Sequence, residues 1–128
     1  MYIWVWYPTR ENRGVKKERQ ISGQRLQRYL RLQKKIKVDM VLIAGDLFHR
    51  QPLIRELREI NYIFEQVPEI QVVIVAGNHD FLSVASNYRT FSFAKNVVFL
   101  KKNEIESVYF PELNTEVYGM SYWHREET

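Results

Sequence analysis

Two short apolar runs, separated by one amphipathic segment, constrain the fold of this chain more than any other feature. The runs cover residues 38–44 and 71–76, and each is nearly continuous, as expected for strands covered on both faces. The segment between them carries an apolar stripe at helical spacing, formed by Leu53, Leu57, Ile60 and Phe64. A strand, a helix and a second buried strand predict a parallel crossover unit and therefore an α/β fold.

The rest of the chain predicts elements that surround this unit. The β-prone stretch 2–7 predicts the first strand of the sheet, and a helical pattern starts at about residue 18. The pattern farther along is typical of a short helix, a strand and a hairpin. We expect these elements at residues 18–35 (helix), 83–93 (short helix), 97–100 (strand), and 106–110 with 115–120 (hairpin).

Length and composition favour one folded domain. The chain has 128 residues, 45% of them hydrophobic, which predicts a single domain over residues 1–128. It contains no Cys, which excludes a disulfide framework and a thiolate metal site and fits a reducing compartment. No window approaches the roughly 18 apolar residues of a membrane span. We therefore expect a cytoplasmic protein that does not associate with membranes.

Positive charge is concentrated in residues 10–37. This basic block holds eleven Lys or Arg against two acidic residues, whereas the rest of the chain has eight basic and thirteen acidic residues. The block is either a surface for a nucleic-acid backbone or a solvated helix face. The aromatic residues within 2–7 leave a similar choice, because they can stack on bases or complete the sheet.

Polar residues follow both apolar runs at the point where each run ends. Gly45 and Asp46 follow the first run, and Gly77, Asn78 and His79 follow the second. In a parallel sheet both loops leave at the carboxyl edge, where open α/β sheets bind ligands. Carboxylate, amide and imidazole groups suit Mn²⁺, Fe²⁺ or Zn²⁺, although a Gly-Asp pair is also common as a turn or helix cap. Alternatively, His79 stays off the metal and donates a proton to the leaving oxygen.

The two loop sequences resemble signature blocks of the calcineurin-like metallophosphoesterases. The matching blocks are Gly45-Asp46 and Gly77-Asn78-His79-Asp80, and residues 38–53 are similar to the DNA-repair exonuclease branch, the SbcD-type nucleases. The likeness covers roughly residues 15–123. It implies an α/β/β/α sandwich and a two-metal phosphodiesterase, often Mn²⁺-dependent, that acts on DNA.

The resemblance also implies a role for each matching residue. Asp46 corresponds to the carboxylate that bridges two metal ions, and Asn78 to a ligand of the second ion. His79 corresponds to the histidine that contacts the scissile phosphate and assists the leaving group. Asp80 corresponds to a residue that orients this loop behind the ligands.

The sequence departs from the family pattern at other ligand positions. The family's first strand ends in an Asp-x-His pair, but no Asp precedes Asp39 and no His precedes His49 here. The family's later Gly-His-x-His block is also not found, since His124 is the only later histidine. We therefore expect an incomplete sandwich, weak metal binding and little hydrolysis by this chain alone. The alternatives are a non-catalytic fragment, active in a longer chain or a homo-oligomer, and a nucleic-acid-binding module that uses residues 10–37.

Three further residues are candidate substrate contacts. His49 lies three residues after Asp46 and is a substitute ligand, a contact near the phosphate, or an exposed residue of a loop or helix start. Arg50 can reach a phosphate, pair with Glu56 or cap a loop. Arg89 follows the second loop and can face the same edge.

Overall fold

The computed structural model describes residues 2–6, 16–19, 23–35, 37–45, 47–48 and 50–123. A five-stranded sheet forms the centre of this part of the chain. Its strands are β1 (Tyr2–Trp6), β2 (Lys16–Arg19), β3 (Met40–Ala44), β4 (Gln71–Val75) and β5 (Val97–Phe99). The spatial order is β2-β1-β3-β4-β5, in which β3, β4 and β5 are parallel and β1 is antiparallel to both of its neighbours. The predicted α/β class and parallel crossover are confirmed.

Two helices cover one face of the sheet. They are α1 (Gly23–Lys35) and α2 (Ile54–Glu65), and their apolar sides share one core with alternate residues of β3 and β4. The predicted stripe of α2 is buried at Leu57, Ile60 and Phe64. The prediction is wrong for Leu53, which is 46% exposed because it lies before the helix, at an extended N-cap position.

A hairpin covers the other face of the sheet. Its strands, β6 (Glu106–Phe110) and β7 (Thr115–Gly119), form a separate two-stranded sheet joined through a 3₁₀ turn at Pro111–Leu113. The partly buried side chains of the hairpin pack on Met40, Val73 and Leu100. Coverage on both faces explains why the two apolar runs are continuous rather than alternating. The predicted hairpin is confirmed.

Two predicted helices are shorter than their patterns indicate. Glu18 and Arg19, where the helical pattern was predicted to start, belong to strand β2 (Lys16–Arg19), because pairing with β1 satisfies their backbone groups and overrides the local pattern. Helix α1 covers Gly23–Lys35 in the described residues, and residues 20–22 lie outside them. Helix α3 is limited to Asn87–Thr90, where the Ser86 side chain caps its first turn.

No helix in the described ranges is long and apolar enough to cross a bilayer. The single domain over residues 1–128 stays a prediction.

Candidate functional site at the carboxyl edge of the sheet

The loops that follow β3 and β4 touch each other at their first residues. Because these strands pair in parallel, with Ala44 opposite Val75, both loops leave at the same edge. Gly45 has a φ of +83°, a left-handed conformation that side chains rarely adopt. A Cβ atom on Gly45 would also lie 3.0 Å from the Cα of Gly77. Backbone conformation and close approach both require glycine at position 45.

The carboxylate of Asp80 joins the two loops. Asp80 is fully buried, and its Oδ1 accepts a hydrogen bond from the Gly77 amide at 2.9 Å. Its Oδ2 accepts one from the Phe48 amide at 3.2 Å and one from the Tyr88 hydroxyl at 2.6 Å. Gly77 and Phe48 belong to different loops, and Tyr88 belongs to α3. Since a carboxylate is costly to bury without such partners, these bonds fix the three segments relative to one another.

Two side-chain amides connect the loops farther along. Gln51 Nε2 donates to the carbonyl oxygen of Phe81 at 2.8 Å, and Asn87 Nδ2 donates to that of Pro52 at 2.9 Å. Together with the contacts of Gly45 and Asp80, these bonds connect the first loop to the second loop and to α3. Side chains carried by such a framework start from a backbone that is fixed before a ligand arrives.

Asn78 and His79 are the polar residues that this framework presents to solvent. Both are exposed, although they lie between the partly buried Gly77 and the buried Asp80. The chain therefore turns outward for these two residues and returns to the interior at Asp80. Asp46 and His49, which were predicted to contribute to the same edge, lie outside the described residues.

The two candidate arginines make local contacts. Arg50 forms a bidentate ion pair with Glu56, with N–O distances of 2.8 and 3.1 Å. Pairing with Glu56 is one of the alternatives that the sequence left open. Arg89 is exposed and donates through Nη1 to the carbonyl oxygen of Val84 at 3.1 Å. Contact of either residue with a substrate stays a prediction.

Glu56 links the Arg50 ion pair to the start of α2. Its carboxylate accepts a hydrogen bond from the Leu53 amide at 3.0 Å. This bond lowers the pKa of the Glu56 carboxyl, partial desolvation opposes the shift, and the charge and hydrogen bonds of Arg50 add to it. The first loop is thus anchored at the N-terminus of a core helix.

Sequence reasoning missed the residues that support the second loop from a distance. The Ser121 hydroxyl accepts a hydrogen bond from the Ala76 amide at 3.0 Å and donates to the Leu100 carbonyl. The Tyr122 amide donates to the Ala76 carbonyl at 2.9 Å. Ser121 is 45 residues from Ala76 in sequence, so no local pattern could have indicated this contact.

The described donors fit only part of a metal centre. Asn78 offers an amide oxygen and His79 an imidazole nitrogen, both suitable for a divalent ion. Across the ranges that the structure describes, no group of three or more His, Cys, Asp or Glu residues could hold a metal ion. The described residues therefore do not form a closed metal site.

The fold is that of an α/β protein in which two loops meet at the carboxyl ends of parallel strands, the edge where open α/β sheets bind ligands. Residues 22–124 match the family model of the calcineurin-like phosphoesterases. The match spans most of the chain and includes both loops, and the chain belongs to this family. The family predicted from the two loop sequences is confirmed. Members of this family hydrolyse phosphoesters, generally with divalent metals. Comparison with curated proteins and with solved structures gives no match.

Proposed function

We propose that this chain hydrolyses phosphodiester bonds as a member of the DNA-repair exonuclease, SbcD-type, branch of its family. The observation that carries the proposal is the pair of fastened loops that presents Asn78 and His79 side by side to solvent. Preorganised donors at one edge are what a site needs to bind and orient a phosphate. The similarity of residues 38–53 to the SbcD-type nucleases supports the choice of branch.

The chain's own residues have separate roles in this proposal. Asp46 and Asn78 would hold a divalent ion, for which we propose Mn²⁺. When bound, such an ion supplies Lewis-acid polarisation of the phosphate and an activated water. His79 contacts the scissile phosphate and donates a proton to the leaving oxygen, which removes the cost of expelling an alkoxide. Asp80 holds the loop from behind.

The proposed site binds its metal weakly. Affinity depends on the number of ligands as well as on their type, and the sequence offers few candidates at this edge. Hydrolysis should therefore be slow and should keep rising with Mn²⁺ well above micromolar concentrations. Calorimetry that finds two ions bound with sub-micromolar affinity would contradict this part of the proposal.

DNA is the proposed substrate, and the outer side of α1 supports it. Among the side chains of this helix whose burial the structure describes, Arg28, Arg31, Lys34 and Lys35 are basic and exposed. Lys34 lies 3.6 Å from Glu69, which precedes β4, so the end of α1 lies at the amino edge of the sheet. This edge is about 17 Å from the loops, the length of a five-residue strand, or about five base pairs of duplex DNA. A DNA segment of that length could contact both regions.

The exposed basic side of α1 also fits a second function, nucleic-acid binding without hydrolysis. In that case affinity would fall steeply with salt and would not depend on Mn²⁺ or on His79. The two functions are therefore separable by one set of measurements.

The experiment that tests hydrolysis uses a chromogenic phosphodiester, bis(p-nitrophenyl) phosphate, with Mn²⁺ and the purified chain. We expect metal-dependent release of nitrophenol that Asp46→Asn abolishes. His79→Asn should reduce hydrolysis of a thymidine dinucleotide, whose leaving group is an alkoxide, by about 10²–10⁴-fold, the usual contribution of a positioned proton donor. It should reduce hydrolysis of the nitrophenyl ester much less, because nitrophenolate leaves without a proton. Glu112→Gln, at an exposed position of the hairpin turn, is the matched control and should retain activity. Absence of hydrolysis by folded protein with Mn²⁺, Co²⁺ and Ni²⁺ would contradict the proposal.

A further inference from the structure

We infer that Tyr88 is a positioning residue for this site and acts through Asp80. The inference rests on the proposed function where it concerns hydrolysis, but its structural part stands on the contacts of Tyr88 alone. Tyr88 lies on α3 and contacts both loops, and no local sequence pattern distinguishes it from the other tyrosines of the chain.

The hydroxyl of Tyr88 is fixed by its surroundings. The side chain is fully buried, and its ring lies 4.8 Å from the ring of Phe99 and 6.2 Å from that of Phe48, measured between centroids. Ring contacts of this kind prevent the side chain from swinging away. The hydroxyl oxygen is therefore held 2.6 Å from Oδ2 of Asp80.

This bond determines how the Asp80 carboxylate is oriented. Oδ2 receives hydrogen bonds from Tyr88 and from the Phe48 amide, whereas Oδ1 receives one from the Gly77 amide. A carboxylate can rotate about its last side-chain torsion, because that torsion is broad. The bond from Tyr88 restricts the rotation, so each oxygen faces the amide of a different loop.

Tyr88 also contacts the first loop directly. Its ring packs on Phe48, whose amide is the donor to Asp80. Its neighbour Asn87 donates to the carbonyl oxygen of Pro52. Helix α3 therefore contacts the first loop through the Tyr88 ring and the Asn87 side-chain amide, and it contacts the second loop through Asp80.

The consequence for the site follows from the position of the exposed donors. Asn78 and His79 lie between Gly77 and Asp80, and both ends of this segment depend on the Asp80 carboxylate. Loss of the Tyr88 hydroxyl should loosen this segment while leaving the Asn78 and His79 side chains present. A displacement of about 1 Å at reacting groups can cost about 10²-fold in rate.

The test is Tyr88→Phe, which removes the hydroxyl and keeps the ring. Hydrogen exchange of backbone amides, measured by NMR, should become roughly tenfold faster at Phe48 and Gly77, as expected when a hydrogen bond to a charged group is weakened. The Val73 amide, in the centre of β4, should keep its rate. Tyr62→Phe, at a 60% exposed tyrosine, is the matched control and should change neither amide.

Activity provides a second readout. In Tyr88→Phe the Mn²⁺ concentration for half-maximal hydrolysis should rise severalfold. Phe64→Leu, a core variant on α2, should lower thermal stability without this change. In an Asp80→Asn background, Tyr88→Phe should have little further effect, because the two residues act through one contact.

Two results would overturn the inference. One is unchanged exchange at Phe48 and Gly77 in folded Tyr88→Phe, and the other is an undiminished effect of Tyr88→Phe in the Asp80→Asn background. If the unmodified chain does not hydrolyse phosphodiesters, the proposed function fails, but the exchange measurement still decides the role of Tyr88. If Asp80→Asn does not fold, the single variant and its exchange rates are sufficient.

Discussion

Gly45 lies so close to Gly77 that a Cβ atom on Gly45 would stand 3.0 Å from the Cα of Gly77. The two glycines are 32 residues apart in sequence and come together because β3 and β4 are parallel neighbours. Their contact sets the distance between the two loops of the site. Any side chain at position 45 would push the loops apart.

Gly45→Ala should therefore destabilise the protein and reduce hydrolysis. The left-handed conformation alone should cost about 1–3 kcal/mol in free energy of unfolding, and the close contact adds to this cost. Urea denaturation followed by circular dichroism measures the change. Asn114→Ala is a matched control, since Asn114 also has a positive φ of 47° but lies in the hairpin. Equal losses of activity in the two variants would contradict the role of the glycine contact.

Ser121→Ala should destabilise the base of the second loop. The substitution leaves the Ala76 amide without its side-chain acceptor in a buried place, which should cost about 1–3 kcal/mol. Thermal denaturation measures the loss. Ser107→Ala, at an exposed position of β6, should be nearly neutral. A Ser121→Ala variant as stable as Ser107→Ala would show that the Ala76 amide finds another partner.

The parts of the fold that sequence predicts well are those with a local cause. Strands β3 and β4 follow from the two continuous apolar runs and were predicted within a few residues of their observed bounds, and helix α2 follows from its apolar stripe. Strand β2 was missed because its hydrogen bonds come from β1, which no periodicity within residues 16–19 could reveal. Pairing with β1 overrides the helical pattern that starts at about residue 18.

For the candidate site too, sequence predicts only the part that has a local cause. Asn78 and His79 were found because they belong to one contiguous sequence block. The contacts that hold this block cross the sequence, since the Phe48 amide is 32 residues from Asp80 and the Ser121 hydroxyl is 45 residues from Ala76. Such supporting contacts depend on the fold and leave no local pattern. Sequence therefore indicated the exposed donors but not the framework that presents them.

The Glu56 carboxylate should make stability depend on pH in the acidic range. Its pKa is lowered in the folded protein from 4.5, so its contribution is complete above about pH 4.5 and is lost as pH falls through the folded value. Glu56→Gln should lower the free energy of unfolding by about 0.5–1 kcal/mol at pH 7, the range of surface helix-end contacts. The difference between the two proteins should shrink below pH 4.5.

Urea denaturation at pH 7 and pH 3 measures this pH dependence. Glu59→Gln, at an exposed position of the same helix, is the control and should differ little from the unmodified protein at either pH. A stability difference between Glu56→Gln and the unmodified protein that is the same at pH 7 and pH 3 would rule out the proposed titration.

The outer side of α1 gives the last prediction, which concerns DNA. Replacement of Arg28 and Arg31 by Gln should weaken binding to DNA of any sequence, because the proposed contacts are with phosphates, which carry no sequence information. The slope of log affinity against log salt should become shallower by about 0.9 for each phosphate that the variant no longer neutralises. Fluorescence anisotropy with a labelled duplex of at least ten base pairs, at several salt concentrations, measures both quantities.

The matched control for DNA binding carries Arg55→Gln and Arg58→Gln on α2, where both arginines are exposed. This variant removes the same charge from another helix and should keep the salt slope. If both double variants lose affinity equally, net charge rather than the α1 surface governs binding. If the α1 variant binds as the unmodified chain does, Arg28 and Arg31 do not contact DNA, which would contradict the proposed role of this helix surface.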